Sequence, residues 1–324
     1  CRAEAQPERH PDELTTGEAK DLLDEAREFG ENQLVVLSGG DPLKRDDVFE
    51  LVEVGDGIGL NVTMTPSGTT SLDTESVERL AESGLRRVAL SVDGVGRSHD
   101  EFRGEEGSYE ETLRAAEDAV ESGLPLQINT TVCGYTVDDL PEIRDLVEEL
   151  GAVLWSVFFL VPVGRGATLE QITPERAEEV MEWLSDVAEE SSFGVKTTEA
   201  PQYRRVKLQS EGSVGGRRST GIRAGDGFAF VSHTGELFPS GFLPVSAGNV
   251  KDESLVDLYR NSDLFERLRK PETYDGKCGA CEFRNVCGGS RSRAYASTGD
   301  PFGSDPLCAY VPDGYDGPLP WDNP

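Results

Sequence analysis

The chain has 324 residues, of which 36% are apolar and 28% are charged, so it has enough apolar material for one large folded domain or two smaller ones. Its 31 basic residues against 61 acidic ones give a net charge of −30, which excludes a general binder of nucleic acids or anionic membranes. The basic residues include only seven lysines, and an acid-rich, lysine-poor chain favours a protein kept soluble at high salt over an acidic protein of ordinary cytosol.

The first two thirds of the chain alternate predicted helices and strands. Apolar residues three and four positions apart predict helices, whereas short apolar runs that end in Gly, Pro or Asp predict buried strands. The predicted helices cover residues 16–29, 43–54, 73–83, 108–122, 137–150 and 174–190, the last with Thr173 as N-cap. The predicted strands cover residues 34–37, 58–64, 87–92, 126–132 and 154–161.

Repeated βα units imply a parallel sheet, either open or curved into a barrel. Because the chain begins on a helix, we expect a further strand upstream, with Cys1 in the first strand-to-helix loop. In a βα barrel those loops form the active face.

The pattern changes after residue 195. A polar, glycine-rich connector is predicted over residues 196–226, followed by a β-hairpin formed by residues 228–231 and 237–238 and by a helix over residues 255–268. The predicted domains are therefore residues 1–195, the connector 196–226, a cysteine-rich domain over 227–312 and a tail over 313–324.

Four of the six cysteines lie close together near the C-terminus: Cys278, Cys281, Cys287 and Cys308. A clustered set in a large acidic chain without a visible signal peptide indicates metal binding rather than a disulfide framework. Four thiolates suit either tetrahedral zinc or a cubane iron–sulfur cluster, and the spacing alone leaves both open. Cys133, which follows a predicted strand, is expected to be a buried small residue.

Several short motifs lie at the ends of predicted strands. They are Cys1-Arg2-Ala3-Glu4-Ala5, Ser38-Gly39-Gly40-Asp41-Pro42, Ser91-Val92-Asp93-Gly94, Ile128-Asn129-Thr130 and Pro162-Val163-Gly164-Arg165-Gly166. Together with the run from Cys278 to Cys308, their order resembles radical S-adenosylmethionine (SAM) enzymes that carry a C-terminal SPASM-type cluster domain. The run resembles most the branch that contains the heme and heme d1 biosynthesis proteins.

The resemblance implies a partial (β/α)6 barrel that lacks its first strand, plus a small SPASM/twitch-like domain with a β-hairpin. It implies SAM and two [4Fe–4S] clusters as cofactors. Cys1 matches the third cysteine of the loop that binds the SAM cluster, which is incomplete in this chain, and Cys278, Cys281, Cys287 and Cys308 match the ligands of an auxiliary cluster.

Matching positions also imply a SAM site. Gly39, Gly40, Asp41 and Pro42 correspond to the segment that faces the SAM amino group, with Asp41 in place of the family's Glu. The resemblance further assigns Ser91 and Asp93 to the ribose, Asn129 to the carboxylate or adenine, and Arg165 to a carboxylate.

The implied reaction is reductive cleavage of SAM to a 5′-deoxyadenosyl radical, which abstracts hydrogen from a substrate. The resemblance of the run from Cys278 to Cys308 favours a tetrapyrrole propionate as substrate. A peptide-modifying maturase and a non-catalytic zinc or iron–sulfur scaffold are the alternatives. We expect ferredoxin or flavodoxin as electron donor, no nucleic-acid or membrane partner, and a cytoplasmic location, because reduced clusters need a reducing compartment.

Several charged residues remain after these assignments. Arg284, Arg291 and Arg293 are expected to brace the cluster loop, with binding of substrate carboxylates as the alternative. Arg103 is expected either to pair with a carboxylate or to be solvated. We expect His99 in a surface loop and assign no catalytic role to any histidine.

Overall fold

The computed structural model describes residues 8–68, 71–211 and 222–321; Cys1 and most of the glycine-rich part of the connector lie outside them. No helix among these residues is long and apolar enough to cross a membrane. The helices in these ranges are α1 (Thr16–Arg27), α2 (Val48–Gly57), α3 (Thr74–Glu82), α4 (Arg97–Arg103), α5 (Ser108–Glu121), α6 (Leu140–Glu149), α7 (Pro174–Glu190), α8 (Gln202–Glu211), α9 (Leu255–Asn261), α10 (Asp263–Leu268), α11 (Gly276–Ala280) and α12 (Arg291–Thr298).

A parallel sheet forms the first part of the molecule, with its six strands in sequential order and curved into a half-barrel. The strands are β1 (Leu34–Leu37), β2 (Asn61–Met64), β3 (Arg87–Ser91), β4 (Leu126–Val132), β5 (Leu154–Phe159) and β6 (Gly194–Thr198). Helices connect them, as parallel strands require. The half-barrel that the sequence predicted is therefore confirmed.

The two faces of this sheet differ in chemistry. Alternate residues such as Val88, Ile128 and Val157 are fully buried and pack with Leu80, Ala116 and other helix residues in one apolar core. The intervening residues line the concave face and are largely polar. One row across this face, in register, is Ser91, Asn129, Ser156 and Lys196.

Local sequence signals set several helix boundaries. Thr15 and Glu18 form a reciprocal capping box at α1. Asp73 caps α3, and Thr173 caps α7 as predicted, with Pro174 at the first helical position. These caps satisfy backbone N–H groups that the first helical turn leaves without partners.

The C-terminal part is built from short elements. β7 (Phe230–Val231) and β8 (Leu237–Phe238) pair antiparallel, which confirms the predicted hairpin. The helix predicted over residues 255–268 is wrong as one element: α9 and α10 are separated by Ser262, whose backbone is extended.

β6 and α4 are among the further elements that the pattern analysis missed. β6 was missed because Gly194, Lys196 and Thr198 are not apolar, although Val195 packs on the core. α4 was missed because it has only seven residues, too few for a periodic pattern to be distinctive. β6 and α8 give the predicted connector regular structure on both sides of residue 200.

Candidate functional site

The motif residues of the barrel lie at the carboxyl ends of its strands. Residues 38–41 follow β1, and Asp41 accepts a hydrogen bond from the Leu43 N–H at 3.2 Å, which caps a short 3₁₀ helix over Pro42–Lys44. Ser91 closes β3, and its register partner in β4 is Asn129. The fold thus brings Ser91 and Asn129 side by side, as required for a shared site at this edge of the sheet.

Asp93 is buried below this edge, with 2% of its surface exposed, and both of its carboxylate oxygens have protein partners. One carboxylate oxygen accepts from the Thr131 N–H at 2.7 Å, and the other pairs with Arg103 at 3.3 Å. Of the two expectations for Arg103, pairing with a carboxylate is therefore correct. The hydrogen bond to Thr131 ties the loop after β3 to β4, while contact of Asp93 with a ribose stays a prediction.

His99 does not lie in a surface loop, which corrects the expectation from its polar neighbours. It belongs to α4 and is only 1% exposed, with its ring 5.7 Å from that of Tyr109. The Asp93 N–H donates to His99 Nδ1 at 3.2 Å. Burial lowers the pKa of His99, so the imidazole is held neutral and fixes the backbone of Asp93.

The four clustered cysteines line one cavity. Cys278 and Cys287 are buried, and Cys281 and Cys308 are partly buried. Burial raises the pKa of Cys281 and of Cys287, and it raises the pKa of Cys308 to about 12. Such thiols ionise when a metal binds them, because coordination stabilises the thiolate.

Backbone groups near the cavity point at the sulfur atoms. The Gly289 N–H lies 3.4 Å from Cys287 Sγ, and the Asp305 N–H lies 3.3 Å from Cys278 Sγ. Gly289 has a φ of +66°, and a Cβ there would lie 2.9 Å from Cys278 Sγ and 2.5 Å from a nitrogen of Arg291. A larger residue at position 289 would therefore collide with the sulfur and with the side chain behind it.

Three basic side chains also line this cavity: Arg205, Lys277 and Arg284. Lys277 is buried, and its ammonium donates to the Cys308 carbonyl. Burial lowers the pKa of Lys277. Arg205 is held by Glu178, while its guanidinium lies 4.9 Å from the Tyr310 ring centre. Arg205 and Lys277 were not among the candidates from the sequence, because nothing local marks their approach to the cysteines.

Arg291 and Arg293 brace the loops around the cavity. Both are buried. Arg291 donates to the carbonyls of Pro301 and Gly303, and Arg293 pairs with Asp305 at 3.1 Å. These hydrogen bonds confirm the bracing role expected from the sequence for these two residues, while the second terminal nitrogen of Arg291 is buried with no hydrogen-bond partner among the described residues.

The arrangement of the donors bears on which metal group fits. Within the described ranges, no three Cys, His, Asp or Glu side chains are placed to hold a single ion. The four sulfurs instead surround a cavity, which suits a cubane whose thiolates each bind a different iron. The cationic lining offsets the negative charge that four thiolates bring.

A second pocket of about 210 Å³ opens beside the loop after β5. Its walls are largely apolar, and Phe242 in the wall lies 6.4 Å, between ring centres, from Phe158 of β5. Arg165 follows the pocket residue Gly164 in an exposed 3₁₀ helix over Gly164–Thr168. The lining residues are Val163, Gly164, Phe238, Ser240, Gly241, Phe242, Leu243 and Pro244.

Comparison with known proteins agrees with this architecture. Residues 1–147 match the model of the radical SAM superfamily. The chain is 41% identical to an AdoMet-dependent heme synthase of Oleidesulfovibrio alaskensis, over 96% of this chain and 83% of that protein. It is 40% identical to an AdoMet-dependent heme synthase of Methanosarcina barkeri, over 96% and 92%. The structure of SuiB from Streptococcus suis bound to its precursor peptide SuiA superposes with a TM-score of 0.75 at 17% identity, covering 96% of this chain and 72% of SuiB.

Proposed function

Because the chain belongs to the radical SAM superfamily, we propose that this enzyme oxidatively decarboxylates propionate side chains of a tetrapyrrole in a heme-forming reaction. As a member of the superfamily it uses a [4Fe–4S] cluster and SAM, which supply the radical that takes a hydrogen atom from the substrate. The resulting substrate radical would release carbon dioxide and give up one electron, for which an iron–sulfur centre is the proposed acceptor, and so become a vinyl group.

One observation carries this proposal: 41% identity to an AdoMet-dependent heme synthase, spread over 96% of this chain. Identity of that extent includes the barrel and the cysteine-rich part together. A shared barrel alone would not support a substrate, since one fold serves many reactions.

The pocket beside β5 supports a large flat substrate. Phe238, Phe242 and Pro244 offer apolar contact to a macrocycle, and Phe158 extends this surface into the concave face. Arg165, which adjoins the pocket residue Gly164, is proposed to pair with a carboxylate at the rim of the macrocycle.

At the carboxyl ends of the strands, we assign SAM to the motif residues. Gly39 and Gly40 allow close approach of a ligand to the backbone, and no atom of the described ranges lies within 4 Å of a Cβ built at Gly39. Ser91 and Asn129 present a hydroxyl and an amide at adjacent positions, where they can orient the ribose and the carboxylate.

The four cysteines at the second cavity are proposed to hold the auxiliary [4Fe–4S] cluster. The N–H groups of Gly289 and Asp305 stabilise charge on two of the sulfurs, and Lys277, Arg205 and Arg284 surround the cavity with positive charge. This lining favours a stable, water-poor site for an electron-transfer group.

The test uses the full-length enzyme, prepared without oxygen and with its clusters reconstituted. We expect iron coproporphyrin, which carries propionates, to shift its Soret band on mixing and to stimulate formation of 5′-deoxyadenosine from SAM. The product should have lost carbon dioxide and two hydrogen atoms for each propionate converted, by mass spectrometry.

Two variants make the test specific to the pocket. Phe242→Ala should weaken binding of the tetrapyrrole by about tenfold, since a buried aromatic contact is worth about 1–2 kcal/mol. Phe228→Ala removes an exposed ring that does not line the pocket and should bind as the wild type does. No Soret shift with any propionate-bearing tetrapyrrole would reject the proposal, and SAM cleavage stimulated only by a peptide would place the enzyme among maturases.

A further inference from the structure

Two cations on the concave face of the barrel have no ionic partner within the described ranges. Arg87 begins β3 and Lys196 lies in β6. The ion pairs among the described residues include neither of them, although the chain has 61 acidic residues. In an acidic protein, cations without carboxylates need another source of negative charge or of solvation.

The register of the sheet shows where these side chains point. Lys196 alternates with Val195, which packs on the apolar core, so Lys196 points to the opposite, concave side. Its register partner is Ser156, in the same row as Asn129 and Ser91. Lys196 therefore lies in line with the two residues assigned to SAM.

Arg87 lies on the same face as Ser91, since the intervening Val88 and Leu90 are fully buried in the core. Its Nε atom is buried and has no hydrogen-bond partner among the residues that the structure describes. Lys196 is itself exposed to solvent, but partial desolvation by the protein around it and the positive charges of Arg87 and Arg204 lower its pKa. Arg204, in contrast, donates to the carbonyls of Val286 and Ile222, which fixes it in place.

We propose that Arg87 and Lys196 form an anion site on the concave face that binds a carboxylate of the substrate. Arginine and lysine together suit a carboxylate, because the guanidinium offers paired donors and the ammonium a point charge. The anion supplies both the missing partner of Arg87 and the charge that opposes the repulsion between the two cations.

The choice of a substrate carboxylate rests on the proposed function. A tetrapyrrole has several propionates on its periphery, so one can react while another is held elsewhere. A site on the concave face would anchor a second propionate and thereby select which one approaches SAM. Arg87 and Lys196 are then binding residues that set the orientation of the macrocycle.

The first experiment does not depend on the tetrapyrrole. Pyridoxal 5′-phosphate is an anionic aldehyde that condenses with an unprotonated lysine, and reduction with cyanoborohydride fixes the adduct for mapping by mass spectrometry. In the reconstituted full-length enzyme, we expect Lys196 to be modified in preference to the other six lysines. Arg87→Gln should reduce this modification about tenfold, because one charge-assisted contact to the phosphate is lost.

The matched control is Arg86→Gln. Arg86 adjoins Arg87 in sequence but is exposed and paired with Asp56, so its loss changes the net charge by the same amount away from the concave face. This variant should leave modification of Lys196 unchanged. Equal modification of all the lysines would overturn the anion site, and modification of Lys196 that is insensitive to Arg87→Gln would overturn the pair.

Protection then identifies the ligand. Iron coproporphyrin should protect Lys196 from modification, whereas its tetramethyl ester, which lacks free carboxylates, should not. Preferential, Arg87-dependent modification without protection by the tetrapyrrole would leave the anion site standing and reject the tetrapyrrole as its ligand. Protection by both compounds would show that the macrocycle only blocks access, which contradicts carboxylate binding at this site.

Discussion

Replacing Asp305 by Asn should destabilise the cysteine-rich part strongly while leaving the barrel intact. Asp305 and Arg293 are fully buried, with guanidinium-to-carboxylate distances of 3.1 and 3.2 Å. One carboxylate oxygen also accepts from the Gln202 amide and the Ser290 N–H, and the other accepts from the Leu307 N–H. Each carboxylate oxygen therefore accepts a hydrogen bond from a backbone N–H that cannot reorient.

An asparagine fills the same space but presents an NH₂ group in place of one oxygen. Whichever way its amide turns, it sets a donor against at least one backbone N–H, of Ser290 or of Leu307, and leaves Arg293 without its counter-charge. Removal of one partner from a buried ion pair costs about 3–5 kcal/mol. Since about 1.4 kcal/mol is a factor of ten, local opening should become at least roughly a hundredfold more frequent.

Amide hydrogen exchange followed by mass spectrometry measures this opening directly. Peptides that contain residues 287–308 should exchange at least roughly a hundredfold faster in Asp305→Asn, whereas peptides from β4 should keep the wild-type rate. Asp313→Asn, at an exposed acid in the same part of the chain, is the control. If Asp305→Asn exchanges as slowly as this control, the buried pair does not stabilise the loops and the reasoning is refuted.

Three further predictions address the remaining parts of the site. Glu199→Ala should lower the thermal midpoint by several degrees, since this carboxylate accepts from the hydroxyls of Ser240, Ser290 and Ser292 and each buried donor left alone costs about 1–3 kcal/mol; an unchanged midpoint would contradict this. The pKa of His99 is lowered in the folded protein, so at acidic pH the unfolded chain binds one more proton than the folded one. The free energy of unfolding should therefore fall as pH drops below about 6.5, by up to about 1.4 kcal/mol per pH unit. His99→Asn should remove this component from denaturation curves measured between pH 7 and 5. The double variant Cys278→Ala, Cys281→Ala should retain about four of about eight irons in the reconstituted full-length enzyme, and one zinc without iron in the wild type would reject the auxiliary cluster.

The barrel could be predicted because its strands are short apolar runs with one face buried against helices. Val62, Leu90 and Ile128 carry that signal in sequence, and glycine or proline marks the end of several runs. β6 lacks the signal because its concave face needs no apolar residues at an open edge. The boundary at residue 195 accordingly fell inside a strand, where local composition changes but the sheet does not.

The candidate site likewise has one part that the local sequence predicts and one part that it does not. The cysteines and the motif residues at strand ends could be found because their spacing and position are local properties. The partners of Arg293 could not, since its guanidinium also donates to the carbonyls of Phe159 and Glu199, far away in sequence. α12 was missed for a related reason: its buried residues include Arg291, Ser292 and Arg293, which lie against Asp305 and Glu199, so no apolar periodicity in the sequence marks the helix.

The distribution of charge links the composition to the proposed substrate. A chain with a net charge of −30 repels an anionic substrate at long range, whereas Arg87 and Lys196 attract it only at contact. Salt separates these two effects: the screening length falls from about 10 Å at 0.1 M to about 3 Å at 1 M, so high salt removes the long-range repulsion first. A carboxylate in contact with Arg87 and Lys196 is no farther from them than about this screening length, so part of their pull on it survives. The acidic surface and the cations of the concave face are thus compatible in the high-salt setting that the composition favours, where an acidic enzyme can still capture an acidic substrate.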